Sequence, residues 1–123
     1  MFEKKLYIAR RIKVEPNENG VDIEYFEEPK LYYFNYQPVS GYLGLQQYGE
    51  DIGNVYRMFV DRKIYQGKIK VGDRAYLSDG EITESDLEKL IQNEESFGDN
   101  ANYKVELALP QNFKMQIDLI KIK

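Results

Sequence analysis

Apolar and polar positions alternate with a period of two over most of this chain, the pattern of half-buried β-strands. Leu6, Ile8, Ile12 and Val14 fall on one register and Lys5, Arg11 and Lys13 on the other, with Arg10 interrupting the apolar side. Asn19-Gly20 suits the positive φ angles of a type I′ turn. Val21, Ile23 and Tyr25 then resume the alternation against Asp22 and Glu24, so residues 2–14 and 21–28 are predicted to form a hairpin. After the break at Glu28-Pro29-Lys30, the aromatic run Leu31–Tyr36 reads as a strand ended by Pro38, because proline cannot donate to a ladder. Val55–Val60 is a further strand, Asp61-Arg62-Lys63 a turn, Ile64-Tyr65 its resumption and Lys68–Val71 a clean alternation. Gly72-Asp73 bends the chain into Arg74–Leu77, and Asp79-Gly80 marks another turn. Tyr103–Leu109 and Met115–Ile122, joined through Pro110-Gln111-Asn112, are the last two strands.

The pattern leaves this period in two places. Residues 84–95 carry Leu87, Leu90 and Ile91 at helical spacing, and Ser85 followed by Glu88 fits a capping box. These three apolar side chains are expected to dock the helix on the strands. Residues 40–54 contain Gly41, Gly44, Gly49 and Gly53 and read as a long glycine-rich loop, with room for a helical turn near Leu45–Tyr48. Short strands at a spacing of about 8–12 residues, with one helix, predict a mainly β fold. The expected form is a small antiparallel β-barrel with one short helix and a projecting loop.

The chain has 123 residues, which predicts one domain over 1–123. It contains neither Cys nor His. That excludes disulfides, thiolate nucleophiles, the Ser-His-Asp triad and the commonest transition-metal ligands, and it argues against an enzyme. No cofactor and no metal site is expected. No apolar run approaches the ~20 residues of a membrane span. The N-terminus alternates where a signal peptide would carry an unbroken apolar block, so a cytosolic product at synthesis is expected. The net charge is −4, yet residues 79–100 hold eight acids against the single base Lys89, which leaves the remainder mildly basic.

Few residues are arranged for chemistry. Glu27-Glu28, Glu50-Asp51 and Glu94-Glu95 are sequence neighbours, which on a strand point to opposite faces, so they read as surface solvation. Asp73 after Gly72 reads as a turn aspartate bonding its own backbone. The glycines of 40–54 match no phosphate-binding pattern. Their informative companions are Tyr42, Leu43, Leu45 and Tyr48, a costly patch if exposed on a monomer. Two readings stay open: the segment folds back on its own barrel, or Gly41, Tyr42, Leu43, Gly44, Leu45, Tyr48 and Gly49 form an interface or gating loop. Arg10, Arg11, Lys13, Arg57, Arg62, Lys63, Lys68, Lys70 and Arg74 lie among tyrosines, which keeps an OB-like single-stranded nucleic-acid binder as an alternative, although Glu15, Glu24 and Asp61 interrupt any basic stripe.

The run 48–80 (YGEDIGNVYRMFVDRKIYQGKIKVGDRAYLSDG) resembles the middle of head-closure, or stopper, proteins of long-tailed phages and prophages of Gram-positive bacteria. The resemblance rests on the loop before Val55–Val60, on the turn-strand with Ile69, Lys70, Gly72, Asp73, Tyr76 and Leu77, and on the late strands 103–109 and 115–122. It covers about half the chain. It implies a small β-barrel that closes the portal and adaptor channel and offers a docking platform to the tail. Such proteins form a ring, often of six copies, with packaged DNA in the channel. The implied partners are therefore portal or adaptor proteins, tail proteins and further copies of the chain. The implied location is the virion neck, reached from the host cytoplasm, and another neck or tail-completion role is the neighbouring reading. In that frame the 40–54 loop is the expected gate, and the terminal segments 2–14 and 115–123 are candidate strand-adding arms.

Overall fold

The computed structural model describes residues 3–39, 41–78, 82–91 and 97–122, with 41–44 and 51 described through their backbone alone. Seven strands form one antiparallel sheet: β1 (Lys4–Ala9), β4 (Lys30–Phe34), β5 (Gln37–Pro38), β6 (Val55–Asp61), β7 (Arg74–Leu77), β8 (Tyr103–Pro110) and β9 (Lys114–Lys121). Their order across the sheet is β4-β1-β7-β8-β9-β6-β5. The two outermost strands, β4 and β5, are separated in the chain by Asn35 and Tyr36 alone. Three residue steps reach at most about 11 Å, so the two edges of the sheet must approach each other. The sheet therefore curls into a small barrel open along one seam, the mainly β architecture that the alternation predicts.

Inward-facing residues of alternating strands fill the barrel: Leu6 and Ile8, Met58 and Val60, Tyr103 and Val105, and Met115, Ile117 and Leu119 are all buried. Burying each of the aliphatic side chains stabilises the fold by about 1.5–3 kcal/mol. Aromatic rings gather where the edges meet. Tyr32 and Phe34 stack at 5.4 Å, Tyr65 meets Phe34 edge-on at 5.1 Å, and Tyr36 meets Tyr56 edge-on at 5.3 Å. The aromatic run 31–36 is thus a strand only as far as Phe34, and its inward rings pack along the open seam.

Several local expectations are corrected. The first alternating run is not one strand. β1 ends at Ala9, and β2 (Arg11–Pro16) pairs with β3 (Asp22–Phe26) as a separate two-stranded sheet. Arg10 lies on the register of Leu6 and Ile8, so carrying β1 further would direct a guanidinium into an apolar interior. The turn of that hairpin is not type I′, since Gly20 has positive φ but Asn19 does not. Asn17 organises it: its Oδ1 accepts from the N–H groups of Asn19 and Val21 at 2.9 and 3.0 Å.

The expected glycine-rich loop is helical: α1 (Gly41–Tyr48) runs into a 3-10 segment, Gly49–Asn54. Asp61-Arg62-Lys63 starts a short helix, α2 (Arg62–Tyr65), because Asp61 Oδ1 accepts from the N–H groups of Lys63 and Ile64. Lys68–Val71 is not a strand. Ile69 is buried and bridges to Gln66, and Val71 is exposed. The last helix, α3 (Glu84–Leu90), is capped by Thr83 and Asp86, not by Ser85 and Glu88. Glu88 pairs with Lys5 at 2.9 Å instead. Ser40, the Asp79-Gly80 turn and residues 92–95 lie outside the described residues.

Candidate functional site

The β2–β3 hairpin is an arm with a pinned root and an open body. Every residue of β2 is exposed, and Ile12, Val14, Val21, Ile23 and Tyr25 all present apolar surface to solvent. A two-stranded hairpin is marginal by itself in water. This one is held at its base. Arg11 N–H donates to Asp73 Oδ1 at 2.9 Å, and Glu27 N–H donates to the Arg10 carbonyl at 2.8 Å. Glu24 accepts from both Arg11 and Arg74, at 3.2 and 3.1 Å, and the Arg74 guanidinium lies 5.1 Å from the Phe26 ring centre. Two glycines with positive φ make this packing fit. A Cβ at Gly72 would lie 2.5 Å from the Arg11 guanidinium carbon, and one at Gly98 would lie 2.4 Å from the Phe26 ring.

Asp73 does more than close its own turn. Its second oxygen accepts from Lys70 N–H at 2.9 Å, as a turn aspartate would, but its first oxygen ties β7's entry to the arm. The carboxyl is almost fully buried. Burial pushes its pKa up, against the lowering effect of the Lys70 and Arg11 N–H groups and of the Arg10 and Arg11 charges.

The glycine-rich segment is latched to its own sheet. Asp118 lies at the middle of β9 directly opposite Arg57 of β6, and it is fully buried. Arg57 donates to both carboxylate oxygens, at 2.8 and 3.0 Å, and to Gln47 Oε1 at 2.8 Å. The Tyr48 hydroxyl donates to Asp118 Oδ2. Burial, and then the bond to the Asp118 carboxylate, push the Tyr48 pKa well up, so the hydroxyl keeps its proton and acts as a donor. Of the proposed loop anchors, Tyr48 therefore faces its own barrel, Leu45 is 53% exposed, and Gly49 adopts positive φ where α1 passes into the 3-10 segment. The side chains of Tyr42 and Leu43, and Gly41 and Gly44 beyond their helical backbone, lie outside the described residues.

Alternation hides this latch, because Asp118 sits on the register opposite Met115, Ile117 and Leu119 and so reads as solvated. The available signal is a pair of opposite charges, Arg57 and Asp118, each set between apolar neighbours on its strand. The sequence also leaves unmarked that Gly98 and Phe26, far apart in the chain, meet at the root of the arm.

The helix residues gather in a second apolar cluster on the outer face of β1 and β7. Leu87 is fully buried there with Ala9, Tyr76 and Ala101, and Leu90 and Ile91 pack against it. Near the seam, Arg10, Lys30 and Lys68 share a cleft of about 260 Å³ with Tyr32 and Tyr65. Glu27 and Glu28 line the same cleft and offset its positive charge, so it offers a nucleic-acid strand no uniform basic track.

No protein-family model, curated protein or solved structure matches this chain.

Proposed function

We propose that this chain is a structural assembly component, and specifically a head–tail connector of the stopper type in a long-tailed phage or prophage. In this role the barrel is the rigid body, the β2–β3 arm engages a neighbouring protein, and the chain closes the portal and adaptor channel and receives the tail. The observation that carries the reading is the arm. It holds five exposed apolar side chains on a stiffly rooted hairpin, surface that a solitary soluble protein has reason to cover. The resemblance of residues 48–80 to stopper proteins supplies the specific assembly.

The gating role shifts with the geometry. A helix bonded to Asp118 is a poor freely moving plug, whereas among the described residues the arm makes no such bond to the barrel beyond its root. The test is to assemble phage particles with Ile12→Lys and Ile23→Lys together. Both positions are exposed, so stability should change by no more than about 0.5 kcal/mol each. The yield of tailed, DNA-filled particles should collapse while the purified variant keeps its fold. A normal yield of such particles would refute the reading.

A further inference from the structure

We infer that the acidic tip of the β2–β3 arm docks on the basic end of a second copy of this chain, where Arg62, Lys63 and Lys114 surround Phe113. The inference rests on the reading of the chain as an assembly component and names the partner of its arm.

Residues 15–22 of the tip contain Glu15, Glu18 and Asp22 and no base. Val21 stands among them at 59% exposure. Across the barrel, the β8–β9 turn presents Phe113 at 89% exposure, the most exposed of the large apolar residues described. Phe113 lines a shallow cavity of about 320 Å³ with Asp61, Arg62, Lys63, Gln66 and Asn112. Asp61 also lines this cavity; its Oδ1 accepts from the N–H groups of Lys63 and Ile64 and it keeps its negative charge, so against Arg62, Lys63 and Lys114 the basic end carries a net charge of about +2. Arg62 donates to the neutral acceptors Gln66 Oε1 and the Asn112 carbonyl, so its charge is not neutralised. Among the described residues, none of Arg62, Lys63 and Lys114 has a carboxylate partner, and neither do Glu18 and Asp22. Each surface thus pairs an exposed apolar side chain with uncompensated charge, and the signs are opposite.

The two surfaces emerge from the same end of the strands but from different walls. Ala9, where the chain leaves for the arm, pairs with Arg74 of β7, while β8 and β9 run on to the turn holding Phe113. Strands β7 and β8 separate β1 from β9. The bonds of Arg11, Glu24 and Glu27 hold the root, so the tip is not free to fold back over its own end. Complementary surfaces kept apart within one copy meet between copies. Because the two are different patches, the contact is heterologous and repeats from copy to copy.

The experiment uses two charge-reversed full-length variants, Glu18→Lys with Asp22→Lys, and Lys63→Glu with Lys114→Glu. Sedimentation analysis at low salt follows self-association of each alone and of their equimolar mixture. Wild type should self-associate, and each variant alone should be weakened by about tenfold or more. The mixture should recover, since the basic tip of one variant meets the acidic end of the other. Recovery also excludes misfolding as the cause of the loss. The inference is overturned by unchanged association of the single variants, by a mixture that stays weak, or by wild type that remains monomeric up to about 1 mM. It is equally overturned if the basic end instead binds duplex DNA in a manner abolished by Lys63→Glu and Lys114→Glu while copies do not associate. In all these cases a loss of tailed particles with Ile12→Lys and Ile23→Lys would leave the assembly reading standing.

Discussion

At the scale of single residues, two buried carboxylates organise the molecule in different ways. Asp118 is stabilised by ion pairing, two-point contact with Arg57 and the Tyr48 hydroxyl. Asp118→Ala leaves the partly buried Arg57 without its counter-charge, and about 2–4 kcal/mol of stability should be lost. Tyr48→Phe removes one bond to the carboxylate and should cost about 1–2 kcal/mol. Urea unfolding measures both. Hydrogen exchange should also show residues 41–54 opening faster in Asp118→Ala than in wild type, and equal exchange there would contradict the latch.

Asp73 is set apart by burial. Its folded pKa is raised above the ordinary 3.8, chiefly because burial disfavours the charged form. A carboxyl with a raised folded pKa binds its proton more tightly in the folded state. Its contribution to stability is complete below the unfolded value and is lost as pH rises through the folded value. The stability difference between wild type and Asp73→Asn should therefore shrink as pH rises from the unfolded value through the raised folded one. A difference that widens over this range would contradict the assignment.

At the scale of elements, the strands were legible wherever alternation alone decides burial. Met115, Ile117 and Leu119 point inward as their spacing predicts, and so do Leu6 and Ile8. The pattern misleads where a single side chain overrides it. Arg10 splits one predicted strand into barrel and arm, and its place on the apolar register was the visible sign. Asp61 converts a predicted turn into α2 by capping it, a role that Asp can fill as readily as a turn. The glycines of segment 40–54 predict a loop, but the bonds that fix α1 come from Arg57 and Asp118, remote in sequence. Thr83 outcompeted Ser85 as the cap, both having an acid three residues on.

The stripe Leu87, Leu90 and Ile91 lies on the cluster over β1 and β7. Leu87→Ala should destabilise the protein by about 2–4 kcal/mol, since Leu87 has no exposed surface. Denaturant midpoints check this, and a loss under about 1 kcal/mol would mean that α3 is only loosely attached.

At the scale of the whole molecule, the topology separates a curled body from an extended appendage. Two residues between β4 and β5 curl the sheet, aromatic rings pack along its seam, and the β2–β3 arm leaves the barrel at a root held by Asp73, Glu24 and two glycines. The barrel was foreseeable from turn spacing and aromatic content. The separation of the arm was not, because its strands share the period of the barrel strands, and only pairing distinguishes them. The arm, held at its root, offers an apolar and acidic surface to a neighbour.

The central claim is that the arm becomes covered on assembly. Hydrogen exchange of residues 12–25, compared between the dilute purified protein and the same protein in assembled particles, tests it most directly. Strong new protection is expected across the arm, with the hydrogen-bonded central strands β6 and β9 little changed. Equal exchange of the arm in both states, with assembly otherwise intact, would contradict it.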